Sequence, residues 1–134
     1  MTSLQAGTVY KFKVQSRNSY GLSDYSNELS LVCGFIPDIP ASPTILIEAD
    51  QVITEWVAPN PNGSPILSYR IMFEQKDGVF AEELTYCDGT DTGFVTVTKC
   101  IVPILTLQAS PFLLELGDEI RATVSATNEY GESD

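Results

Sequence analysis

Leu4-Gln5-Ala6-Gly7-Thr8-Val9-Tyr10-Lys11-Phe12-Lys13-Val14-Gln15-Ser16-Arg17-Asn18-Ser19-Tyr20-Gly21-Leu22-Ser23-Asp24 returns 110 positions later, without a gap. The second copy reads Leu114-Glu115-Leu116-Gly117-Asp118-Glu119-Ile120-Arg121-Ala122-Thr123-Val124-Ser125-Ala126-Thr127-Asn128-Glu129-Tyr130-Gly131-Glu132-Ser133-Asp134. Leu4, Gly7, Val14, Asn18, Tyr20, Gly21, Ser23 and Asp24 are identical in both, and Lys11 opposite Arg121 keeps its charge. Self-similarity at a fixed period marks a repeat architecture. The period is about the length of one β-sandwich domain. The chain therefore holds one full period plus the tail of the period before it.

Each copy carries the signature of a half-buried antiparallel strand. Tyr10, Phe12, Val14 and Ser16 alternate with Lys11, Lys13, Gln15 and Arg17, and a period of two sends these sets to opposite faces. In the second copy Ile120, Ala122, Val124 and Ala126 take the inward positions. Asn18-Ser19-Tyr20-Gly21 reads as a turn, and a second strand is expected over about 25–33.

Three prolines, Pro37, Pro40 and Pro43, stiffen the next segment and deny it ladder hydrogen bonds. Three parts follow: 1–35 as the C-terminal hairpin of a preceding repeat, 36–43 as a proline-rich linker, and 44–134 as a domain lacking its last strand. Within that domain strands are expected at about 44–49, 51–57, 66–75, 80–86 and 94–102, with one short turn over 105–112. Pro59-Asn60-Pro61-Asn62-Gly63, Lys76-Asp77-Gly78 and Cys87-Asp88-Gly89-Thr90-Asp91 punctuate them. Short, regularly spaced strands with such turns indicate an all-β sandwich or barrel. The expected core includes Trp56, Tyr69, Ile71, Val124 and Ala126.

Composition narrows function. Of 134 residues, 18 are acidic and 7 basic, for a net charge of −11. Phosphate backbones and anionic headgroups repel such a surface, so nucleic acid is a poor partner. No apolar run reaches the length of a membrane span, so no membrane insertion is expected within this segment. The absence of histidine removes the commonest general base and metal ligand. No phosphate loop, zinc spacing or nucleophile elbow is present, so no catalytic residue, cofactor or metal is expected. Met1 to Gly7 lacks the basic-then-apolar pattern of a leader.

Trp56 before Pro59, then Tyr69, Ile71 and Phe73 on one strand face, resembles the second and third strands of fibronectin type III domains. Leu4-x-x-Gly7-x-x-Tyr10-x-x-x-Val14, followed by Asn18-x-x-Gly21-x-Ser23, is similar to that family's sixth strand and following loop. The resemblance implies an antiparallel, immunoglobulin-like sandwich. It also places a tyrosine corner at Tyr10, where the phenol bonds nearby backbone. The second copy departs from the pattern with Ile120. A narrower resemblance runs through Glu83 to Asp91, Lys99 to Pro103 and Ala109 to Phe112. It is to the large tandem fibronectin-like surface proteins of ciliated protists. It implies a long, repetitive, extracellular or cell-surface polypeptide whose partners are other copies, extracellular proteins or glycans.

Cys87 and Cys100 flank a polar loop. Together with the resemblance their spacing suggests a disulfide, which would constrain the unfolded chain by about 3 kcal/mol; two reduced thiols in a cytosolic protein are the alternative. Cys33 is left over, as a buried thiol or an intermolecular bridge. Glu82, Glu83, Asp88 and Asp91 crowd one loop, but their spacing fits polar turns better than a calcium site. Asn62-Gly63-Ser64 is an N-glycosylation acceptor pattern. The segment bearing Asn27, Leu29, Leu31 and Cys33 is a candidate donor strand for the edge near 118–127, in cis or in trans. The function read from these features is a structural or adhesive module, assembling through strand donation. The alternatives are a loop-mediated glycan- or protein-binding module and an ancillary domain of a larger enzyme.

Overall fold

The computed structural model describes residues 3–134; Met1 and Thr2, part of the segment read as having no leader, lie outside them. Two sheets form the body. β5 (Thr44–Glu48), β6 (Gln51–Glu55) and β9 (Lys99–Pro103) pair antiparallel in the order β5-β6-β9. The other sheet has the order β11-β10-β7-β8, from β7 (Ser68–Glu74), β8 (Phe80–Glu82), β10 (Ala122–Asn128) and β11 (Gly131–Glu132). Val52, Val102, Tyr69, Ile71, Phe73, Val124 and Ala126 point between them, one residue in two along each strand, and close a single core with Trp56, Leu107 and Phe112. Each fully buried aliphatic or aromatic side chain of this kind contributes about 1.5–3 kcal/mol. All five expected core residues are buried. The rings of Trp56 and Tyr69 meet edge to face at 5.4 Å, and burial pushes the Tyr69 phenol above its ordinary pKa. The all-β sandwich read from the sequence is the architecture observed.

The N-terminal segment folds as a hairpin of its own. β1 (Val9–Phe12) pairs with β4 (Leu29–Val32), with Tyr10 opposite Leu31 and Phe12 opposite Leu29. Beyond it β2 (Arg17–Asn18) pairs with β3 (Gly21–Leu22). Leu29 and Leu31, expected as a donor strand, are thus bonded to β1, and Asn27 and Cys33 flank that strand. Among the described residues β4 makes no fold-back onto β10, because it is already paired with β1. The edge of β10 is instead begun by β11, with Asn128 opposite Gly131.

Two strand expectations are corrected. Over 94–102 the chain makes a short helix, α1 (Thr92–Val97), before β9 starts at Lys99. The β-branched residues there favour a strand, but Asp91 accepts from Gly93 N as an N-cap, and Thr98 ends the helix in the left-handed region. The strand expected over 80–86 stops at Glu82, because the buried Glu83 carboxylate accepts from Thr85 N and Tyr86 N and holds a turn. The turn expected over 105–112 is present as α2 (Ile104–Gln108).

Candidate functional site

The most elaborate polar construction in the chain lies where the hairpin and linker meet the sandwich. Three segments converge: 33–38, the loop 60–63 between β6 and β7, and the loop 128–131 between β10 and β11. Asn128 is buried, and its Nδ2 donates to Phe35 O at 2.8 Å and to Pro61 O at 2.9 Å. Asn62 Nδ2 donates to Ile36 O at 2.9 Å and to Asp38 Oδ1 at 2.8 Å. Phe35 N donates to Asn62 O and Asp38 N to Asn60 O, each at 3.0 Å. Two side-chain amides and two backbone pairs thus sew the linker to both loops.

Glycines allow the approach. A Cβ on Gly34 would lie 2.2 Å from the Tyr130 ring, and one on Gly63 would lie 2.6 Å from Cys33 O and 2.7 Å from Gly7 N. Gly63 also has φ +93°, a conformation that L side chains rarely adopt. Gly7 and Cys33 belong to the hairpin, where Gly7 N donates to Cys33 O at 2.8 Å. The hairpin is therefore seated directly on the 60–63 loop.

The residues singled out by their sequence patterns divide between this joint and the body of the sandwich. Cys87 and Cys100 form a disulfide inside the core, with Cα atoms 5.3 Å apart. Cys33 is a free, half-buried thiol. Asn62, read as a glycan acceptor, commits its Nδ2 to the linker, and Ser64 of the same pattern is buried. The acidic loop is occupied with its own turns: Asp88 accepts from Thr90 N and Thr90 Oγ1, which lowers its pKa, and Asp91 caps α1. These carboxylates serve as turn acceptors rather than as a converging ligand set. The joint itself escapes sequence reasoning. Its one available signal is that Asn128, Tyr130 and Gly131 repeat a pattern already present at Asn18, Tyr20 and Gly21.

The tyrosine corner explains a departure in the sequence. Gln5 N donates to Tyr10 Oη at 2.8 Å. In the second copy the matching amide, Glu115 N, donates to Asp118 Oδ2 at 2.8 Å, and Lys76 Nζ bonds the same oxygen at 2.8 Å. With Asp118 supplying the acceptor, position 120 is released to carry Ile120.

No family model matches the chain. A curated relative, fibronectin type-III domain-containing protein 3A of Mus musculus, is 31% identical over 98 residues, which is 70% of this chain and 8% of that protein. The chain thus spans less than a tenth of the relative it matches. Among solved structures, the crystal structure of domains A168-A170 from titin matches 92% of this chain and 37% of its own, with a TM-score of 0.54 and 19% identity. Fold and likeness together give a fibronectin type III-like sandwich.

Proposed function

From a fibronectin type III-like sandwich with an extra hairpin seated on one pole, we propose that the chain is a non-catalytic structural module of an extracellular tandem-repeat polypeptide. Its task is to hold successive repeats in a fixed orientation. The observation that carries this reading is the joint: buried Asn128, Asn62 and two close-packed glycines fix a linker that a flexible tether would leave in solvent. A disulfide within the core supports an oxidising compartment. The strand-donation route to assembly is less favoured, because β4 is satisfied by β1.

Loop-mediated ligand binding is the second reading. Sandwich loops at one pole commonly carry binding residues. Here Asn62 and Asn128, from the two loops of that pole, spend their side-chain amides on the segment 35–38, which favours the structural role.

An antibody raised against this chain tests the proposal on the source cells. Intact, non-permeabilised cells should be labelled, and the recognised polypeptide should be several repeats long. Freshly isolated protein alkylated without reductant should remain unmodified at Cys87 and Cys100. Labelling only after permeabilisation, or alkylation of both cysteines, would contradict it.

A further inference from the structure

The loop around Asn18 and the loop around Asn128 agree down to their hydrogen bonds. Tyr20 N donates to Asn18 Oδ1, and Tyr130 N to Asn128 Oδ1, both at 2.9 Å. Ser16 N donates to Ser23 Oγ at 3.0 Å, and Ala126 N to Ser133 Oγ at 2.9 Å. Ser23 N returns to Ser16 O at 2.9 Å, and Ser133 N to Ala126 O at 2.8 Å. Gly21 and Gly131 share φ values of +136° and +141°.

Occupancy is what separates them. The second loop holds the extended segment Gly34-Phe35-Ile36: Asn128 Nδ2 on Phe35 O, the Tyr130 ring against Gly34, and Ile36 beside Gly131. At the first loop, among the described residues, Asn18 Nδ2 donates to nothing and Tyr20 is 97% exposed. Ser16, Asn18, Tyr20, Gly21 and Leu22 line an open groove of about 370 Å³ there.

We propose that this groove is a second peptide-binding site, taking an extended segment of the Gly34-Phe35-Ile36 type from another repeat of the same kind. The inference rests on the array reading above. Its occupant follows from the twin loop, where Asn128, Tyr130 and Gly131 together hold this segment and only Asn128 reaches a second one, at Pro61 O. Asn18 Nδ2 donates to the carbonyl before the isoleucine. Tyr20 covers the glycine, where a Cβ would collide with the ring. Gly21 leaves room for the isoleucine side chain. Arg17 stands where the second copy has Thr127, and the linker's one charged residue over 36–43 is Asp38, so charge favours the pairing. The groove lacks the carbonyl contact that Pro61 adds at the second copy, so affinity is expected to be modest, on the order of 1 mM.

The test is a titration of the isotope-labelled full chain with a capped synthetic peptide of residues 34–43. Saturable shifts are expected at the Asn18 side-chain amide and at the Tyr20 and Gly21 backbone amides. Asn18→Ala should weaken binding at least fivefold, and a peptide carrying Gly34→Val should not bind. The absence of saturable shifts at 18–22 would overturn the proposal. So would shifts that persist with the Gly34→Val peptide, or shifts confined to 128–131, which would mean exchange with the protein's own linker. None of these outcomes bears on the surface labelling and polypeptide length that judge the array reading, so the two can fail separately.

Discussion

Val14 and Val124 hold the same place in the two copies of one sequence, yet Val14 is 73% exposed and Val124 only 7%. Their hairpins share register, turn and side-chain hydrogen bonds. One lies under the opposing β5-β6-β9 sheet and the other faces solvent. Local sequence writes the hairpin; burial is conferred by elements distant in the chain. A variant that acts on burial should therefore separate the copies, and one that acts on local bonding should not.

The largest separation is expected from an aspartate at each valine. Val124→Asp places a carboxylate in the core and should cost more than about 3 kcal/mol, whereas Val14→Asp should stay within about 0.5 kcal/mol. Urea denaturation of the two variants, followed at Trp56, reads the difference. Equal effects would mean that the exposed hairpin face is covered in solution.

Next comes the disulfide, which belongs to the sandwich and has no counterpart in the hairpin. Replacing Cys87 and Cys100 together by serine removes a loop constraint worth about 3 kcal/mol. The unfolding free energy from urea titration should fall by that amount, while hydrogen exchange of the β1 and β4 amides in native conditions stays unchanged.

The smallest effect concerns the paired amides of Gln5 and Glu115. Their acceptors differ: a phenol at Tyr10 and a carboxylate at Asp118. The Lys76 ammonium, and then the Glu115 N–H, hold the Asp118 carboxyl below its ordinary pKa. A depressed folded-state pKa adds stability above the unfolded value and loses it as pH falls through the folded one. Asp118→Asn should flatten the acid limb of stability below about pH 4. Tyr10→Phe should lower hairpin protection equally at pH 3 and pH 6. The Asp118 effect should shrink in high salt, because the pair is exposed.

The repeat, the sandwich and the Cys87–Cys100 spacing are legible in the sequence because each is local or periodic. Tyr10 and Trp56 are legible through family patterns. Sequence reasoning fails where a single polar side chain overrides propensity. Asp91 turns a β-branched run into α1, and Glu83 cuts short β8. Asn62 shows a different gap: its tripeptide pattern does not reveal that its amide bonds a linker residue 24 positions away in sequence. The joint is hidden for the same reason. It is built from backbone carbonyls, two asparagines and glycines, none of which leaves a hydrophobic period.

The rigidity of that joint is the central claim, and residual dipolar couplings test it most directly. Couplings from the β1–β4 hairpin and from the sandwich should fit one alignment tensor in the native chain. In Asn128→Ala they should require two, because the variant leaves Phe35 O and Pro61 O without their donor. If the native chain already needs separate tensors, the hairpin is tethered rather than clamped, and the account of a fixed joint is wrong.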